Sequence, residues 1–327
     1  MNIKSSIIEN EFYKIKTLNI GATLYEVIYK PKKLNLILNL GSKENYKYKH
    51  PYVGSTCGRY AGRISNGKFQ IGNKKYFTNK NEDKNTLHGG KKGFYRLIWK
   101  INNFTKNKII YELNSKHLDQ GFPGNIKVKC IYELKKNNFF IFYEYISDKQ
   151  THVNLTNHSY WNLNLNKKIN ILNHELKLNS FTYLDVNKFL IPTGKINNVL
   201  NSSYDFRKFA EIKKKLNFIP SKKKNYTLNE IKKNGFDTTY VIKKNKNNYV
   251  GSLKSNNSKI KLNIFSNLPG VQLYTAQKLK YKKKLFPYQG ICLETQFFPD
   301  SPNKKNFPST LIKPKKKYKY FTKYNVK

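Results

Sequence analysis

Two side chains in this sequence, one carboxylate and one imidazole, sit among neighbours that suit them to proton transfer. Glu294 lies between Leu293 and Thr295, in an apolar stretch opened by Ile291 and Cys292. A carboxylate in such a strand loses its water, which raises its pKa and makes it a stronger base. His158 stands in the segment THVNLTNHSYWNL (151–163), among Asn and Ser, and an imidazole gives or takes a proton close to neutral pH. A base and an acid that face one another across a cleft are what a reversible proton shuffle needs. Arg63, His88, Asp237 and Gln272 add donors and acceptors for a polyhydroxylated ligand, and Tyr160, Trp161, Phe297 and Phe298 offer ring faces to the apolar side of a sugar. Taken singly, each residue also has a plainer reading. A strand Glu is more often solvent-facing or paired, a His more often structural, an aromatic more often core. His50, His117, His152 and His174 receive only that plainer reading. Gly89-Gly90 reads as a turn, and Gly58-Arg59 to Arg63 as a salt-bridged strand.

Strands must position these groups. In Ile126–Leu134 the residues Ile126, Val128, Cys130, Tyr132 and Leu134 share one face and Lys127, Lys129 and Glu133 the other, with Ile131 an apolar exception. Lys135 to Asn138 reads as a turn, and Phe139–Ile146 returns as a strand rich in aromatic and β-branched residues, a hairpin signature. The same alternation recurs at Ile20–Leu24, at Leu176 and Leu178, and at Ile260, Leu262 and Ile264. Helical periodicity is scarce: Phe209, Ile212, Leu216 and Ile219 make one short candidate, Leu228 and Ile231 hint at another, and both lie in a Lys/Asn-rich excursion. No linker divides the 327 residues and no repeat of fixed period occurs. The expectation is a single all-β domain over 1–327, an antiparallel sandwich of two or more sheets.

Composition points elsewhere. Lys and Arg total 63 against 19 acidic residues, a formal charge of +44. A charge of that size suggests nucleic acid or an anionic surface. Only Arg59, Arg63, Arg96 and Arg207 are arginines, however, and phosphate and base recognition favours the bidentate guanidinium. The Lys excess travels with Asn, Ile, Tyr and Phe throughout, as a codon bias toward A and T would produce. The sequence therefore predicts no specific nucleic-acid partner, only nonspecific polyanion binding at low salt. Cys57, Cys130 and Cys292 form no CxxC pair and are odd in number, which fits a reduced intracellular chain without a disulfide framework or zinc site. No run of 18 apolar residues occurs, and MNIKSSIIENEFYKIK lacks a signal-like apolar core, so a cytoplasmic protein without a membrane partner is expected.

Against the Lys/Asn background, several segments keep their own character: NIGATLYEVIYK (19–30), GRYAGRISNGKF (58–69), NTLHGGKKGFYRLIW (85–99), DQGFPGN (119–125), VNLTNHSYWNL (153–163), DFR (205–207), GFDTTYVI (235–242), PGVQLYT (269–275), LETQFFPDSPN (293–303) and FPSTLIKP (307–314). In this order and spacing the chain resembles the aldose 1-epimerase (galactose mutarotase) family along nearly its whole length. The resemblance implies a galactose-mutarotase-type β-sandwich with an open sugar cleft. It implies that the α- and β-anomers of free aldohexoses such as glucose and galactose interconvert without cofactor or metal. By the same resemblance Glu294 is the general base at the anomeric hydroxyl and His158 the general acid at the ring oxygen. Arg63, His88, Asp237 and Gln272 match sugar-contacting positions, and Tyr160 lines the cleft.

Three positions depart from the family pattern: Gly62, where Asn often precedes the Arg and touches sugar; Thr238, where His often follows the Asp; and Gln277, where Asn is common. They bear on sugar preference. A sugar-binding protein without catalysis and an epimerase of phosphorylated hexoses stand as alternatives on the same fold. A monomer or homodimer is expected.

Overall fold

The structure, a computed structural model, describes residues 2–216 and 235–327. Among these the architecture is nearly all antiparallel β. A nine-stranded sheet runs, in spatial order, through Lys100–Thr105, Lys108–Ser115, Ile126–Lys135, Asn138–Ser147, Tyr318–Val326, Ile260–Ser266, Tyr249–Ser255, Glu175–Leu178 and Ala210–Glu211. A six-stranded sheet runs through Tyr160–Trp161, Ile291–Gln296, Gly270–Tyr274, Asp237–Val241, Thr182–Val186 and Pro192–Asn198. Smaller sheets, including Ser5–Glu9 with Tyr13–Leu18 and Thr23–Tyr29, close the edges.

The expected hairpin is present: Ile126 pairs with Ser147 and Lys135 with Asn138, leaving a two-residue loop. Lys136 takes a positive φ of 50° there, the geometry a tight hairpin needs. Ile126, Val128, Cys130, Tyr132 and Leu134 are buried as a set, and Ile131, the exception, is buried too. Side chains from both large sheets, among them Val128, Tyr132, Phe139 and Leu262 from one and Val271, Leu273, Ile291 and Leu293 from the other, join one apolar cluster. Burying each such side chain is worth about 1.5–3 kcal/mol, so this shared layer fixes the face that each strand turns inward.

The short helical candidate forms one turn, Ile212–Lys215, with Ile212 and Leu216 buried. Ile219, Leu228 and Ile231 lie outside the described residues. Among the described residues no helix is long and apolar enough to cross a membrane.

Candidate active site

The outer face of the six-stranded sheet makes the floor of a cavity of about 180 Å³. That is below the ~300–1,000 Å³ of sites for drug-sized ligands and suits one compact ring. Strand alternation selects its floor. Leu293 and Thr295 point away from it, while Glu294 and Gln296 line it; Gln272 and Tyr274, and Asp237 and Thr239, line it from the next two strands. Register sets them in rows: Glu294 pairs with Gln272, Gln272 with Thr239, and Tyr274 with Asp237. Hydrogen bonds lock the row. Thr239 Oγ1 donates to Gln272 Oε1, and Gln272 Nε2 donates to Asp237 Oδ1 at 2.7 Å.

Loops build the walls. The backbone N–H of His158 donates to Ser55 O, and its carbonyl accepts from Gly54 N–H at 2.9 Å. Gly54 has φ +67°, and a Cβ there would stand 2.1 Å from Leu24 O, so only glycine admits this approach. The His158 ring lies 5.0 Å from Tyr160, whose hydroxyl donates to Pro51 O. His88 follows the strand Thr86–Leu87, which pairs with Arg63–Ile64. The N–H of His88 donates to Gly62 O, and the N–H of Gly62 donates to His88 Nδ1 at 3.2 Å. Gly62 has φ +77°. It contributes a backbone donor that fixes a histidine rather than a side chain that meets a ligand.

Glu294 and His158 meet at the bottom. Glu294 Oε1 is 3.6 Å from His158 Nε2, and the two residues are 3% and 5% exposed. Glu294 Oε2 and Gln296 Oε1 are buried without a hydrogen-bond partner among the described residues. Native proteins seldom leave such atoms unpaired, and both belong to residues that line the cavity. Burial pushes Glu294 well above the usual carboxylate range, and Asp237 adds to the rise while Arg63 opposes it. Burial draws His158 down to about 4 and His88 well below the usual imidazole range. Asp237 is raised by burial, against the pull of Arg63 and Gln272. Burial thus disfavours the charged form of both groups.

His88, His158 and Glu294 each present a potential metal-donor atom within 4.8 Å of one another. The backbone argues against that use. Gly62 N–H needs the lone pair of His88 Nδ1, so the neutral ring carries its hydrogen on Nε2 and has no second lone pair to give. The trio suits proton exchange and hydrogen-bond donation.

All eight residues singled out for the site, Glu294, His158, Gly62, Arg63, His88, Tyr160, Asp237 and Gln272, line this one cavity. The other aromatics do not. Trp161 is core against Tyr324, Phe298 packs on Phe307, and Phe297 stands against Tyr320. Strand parity turns Trp161 inward, and Tyr52, Tyr160 and Tyr274 supply the ring faces instead. Arg59 is buried and spends its guanidinium on the carbonyls of Pro123 and Gly124 and on Ser115 Oγ, a structural role. Sequence reading missed Tyr52, Glu82, Thr239, Tyr274 and Gln296. Tyr274 and Gln296 lie two residues beyond Gln272 and Glu294, so period-2 counting could have found them. Glu82, one of only 19 acidic residues, falls six before His88, a composition signal. Tyr52 sits in an irregular loop that carries no such signal.

A family model described as aldose 1-epimerase matches residues 4–325. The chain belongs to the aldose 1-epimerase family. Human galactose mutarotase is 31% identical over 325 residues, covering 96% of this chain and 91% of that one. A galactose 1-epimerase from Lactobacillus acidophilus superposes with a TM-score of 0.84 at 28% identity, covering 100% of this chain and 99% of that one. An aldose epimerase homologue from C. elegans superposes at 0.90, with 24% identity and the same coverage, and supports the fold. Two of the three departures from the aldose 1-epimerase pattern fall outside the cavity. Thr238 is buried on the opposite strand face, with its hydroxyl on Leu184 O. Gln277 is buried and accepts from Thr275 Oγ1. Of the three, only Gly62 lines the cavity.

Proposed function

We propose that Glu294 and His158 exchange protons with the anomeric centre of a free aldohexose such as glucose or galactose. The reaction of this chain is the family's: the α- and β-anomers of an aldose interconvert. Ring opening takes the proton from the anomeric hydroxyl and delivers one to the ring oxygen. Glu294 accepts the first and His158 donates the second. The open-chain aldehyde turns about its C1–C2 bond and closes on its other face, with the two roles reversed. The observation that carries this reading is the 3.6 Å between Glu294 Oε1 and His158 Nε2. That spacing lets two side chains address two oxygens borne by one carbon.

Proton bookkeeping supports the same pair. The closed sugar needs a carboxylate and an imidazolium; the open form leaves a carboxylic acid and a neutral imidazole. Both states hold one proton on the pair, and burial favours the second distribution. His88, with hydrogen on Nε2, donates to a sugar oxygen. Asp237 and Gln272 bind hydroxyls, Arg63 turns a guanidinium edge to them, and Tyr160 closes the wall beside His158. No cofactor or metal enters any step of this scheme.

The pH dependence follows with a definite sign. The pair takes up a second proton only as pH falls through about 4, and the base is then lost. On the alkaline side the last proton leaves in the raised range of Glu294, and the acid is then lost. The acid limb of turnover should therefore lie near 4, because only the singly protonated pair is active. An acid limb of kcat/KM that halves near the ordinary histidine value of about 6.5 would refute this.

We further propose a cytoplasmic protein of one domain, a monomer or homodimer. The surface charge of +44 gives it only bulk attraction to polyanions. DNA affinity should vanish near physiological salt and show no sequence preference in gel-shift titrations; retained, sequence-dependent affinity would count against this. The test of the function itself is polarimetry. Freshly dissolved α-glucose and α-galactose should lose their excess rotation faster with the protein, across a panel of free aldoses. Calorimetric sugar binding with no acceleration for any sugar would reduce the chain to a binding protein.

A further inference from the structure

Arg63 does not face the cavity freely. Its Nε donates to Glu82 Oε2 at 2.6 Å and its Nη2 to Glu82 Oε1 at 2.9 Å, a two-pronged pair on side chains 13% and 33% exposed. Nη1 makes no hydrogen bond among the described residues and is the edge left for a ligand. Glu82 itself lines the cavity. Bidentate pairing fixes the plane of a guanidinium in a way a single bond cannot. It also cancels most of the arginine's charge. The cavity then holds three carboxyl side chains, Glu82, Asp237 and Glu294, against Arg63 and Lys278. Its lining is poor in net positive charge although the chain as a whole carries +44.

We propose that Glu82 is a positioning and specificity residue: it holds Arg63 so that Nη1 alone meets the sugar, and it closes the cleft to phosphorylated hexoses. A hexose 6-phosphate brings about two negative charges. With Arg63 paired to Glu82, the cation left in the lining among the described residues is Lys278, a point charge and not a bidentate fork. The basic surface outside would otherwise concentrate such anions at the entrance, so discrimination has to be made inside. The inference rests on the epimerase reading of the cavity and adds the substrate class that it refuses.

Glu82→Gln removes the charge and keeps the shape. We expect its KM for glucose to rise about tenfold with kcat within about twofold, since a misaligned Arg63 weakens binding more than chemistry. Glucose 6-phosphate should inhibit this variant at least about tenfold more tightly than wild type, and Glu82→Asp should restore part of the wild-type KM. Combined with Arg63→Gln, Glu82→Gln should add less than about twofold to KM, because the two act as one unit. Unchanged KM and unchanged glucose 6-phosphate inhibition in a variant with wild-type melting would overturn the proposal. So would an equal effect of Glu82→Gln in the Arg63→Gln background. Should wild type relax no free aldose at all, the epimerase reading fails instead. Calorimetric binding of glucose and glucose 6-phosphate to the same variants then still judges Glu82, with the same affinity changes expected and their absence overturning it.

Discussion

Glu294→Gln slows the loss of rotation of α-galactose by about 10³–10⁴-fold, with the fold intact. A positioned proton acceptor contributes about 10²–10⁴-fold, and Glu294 should sit at the upper end for a local reason. Its carboxylate is buried beside His158, and one oxygen is without a partner. Few groups around it can take over: Asp237 is held by Gln272, and Glu82 by Arg63. Gln matches Glu in shape but cannot accept a proton at neutral pH. Stability should hold or rise, because burial disfavours ionisation of Glu294 and the amide carries no such cost. Rotation kinetics and a melting curve on one preparation measure both. Turnover near that of wild type would sink the assignment of the base.

His158→Asn comes next, with an expected loss of about 10²–10³-fold. The smaller figure follows from its neighbours. The backbone bonds that pin residue 158, from its N–H to Ser55 and from Gly54 to its carbonyl, do not involve the ring. The variant therefore keeps the strand and the wall. His88 lies 5.3 Å away ring to ring and still offers its Nε2 hydrogen to an oxygen, so part of the stabilisation survives. Sugar affinity from calorimetry should change little while kcat falls. A KM effect without a kcat effect would make His158 a binding residue only.

How much of this was readable beforehand depended on where the residue sits. Strand residues could have been read further than they were, because the pleat has a strict period: from Glu294 and Gln272, counting by two reaches Gln296 and Tyr274 on the same face. The same period shows why Trp161, next to the cavity-lining Tyr160, failed as a sugar platform. Phe298 lies beyond the strand Ile291–Gln296, and packing against Phe307 rather than parity takes it to the core. Thr238 fell on the hidden face by parity, beside an Asp237 that faces the cleft. Loop residues were less legible. His88 drew notice from its glycines, but the reason it works is a backbone contact with Gly62, which nothing in residue type announces. Glu82 and Tyr52 reach the cavity through chain reversals whose course depends on tertiary packing. The charge was a poor guide to the site, because the lysines lie mostly at the surface while the acidic groups that matter are few and gathered in the cavity.

The claim on which the rest depends is that one proton, shared by a carboxyl and an imidazole, is what the sugar exchanges. Optical-rotation relaxation of fresh α-galactose on the Glu294→Gln/His158→Asn double variant, beside both single variants, tests it most directly. Groups that act as a unit do not lose activity multiplicatively, so the double variant should be about as slow as the slower single. Wild-type turnover in either single variant, or a double variant slowed by the product of the two losses, would contradict it.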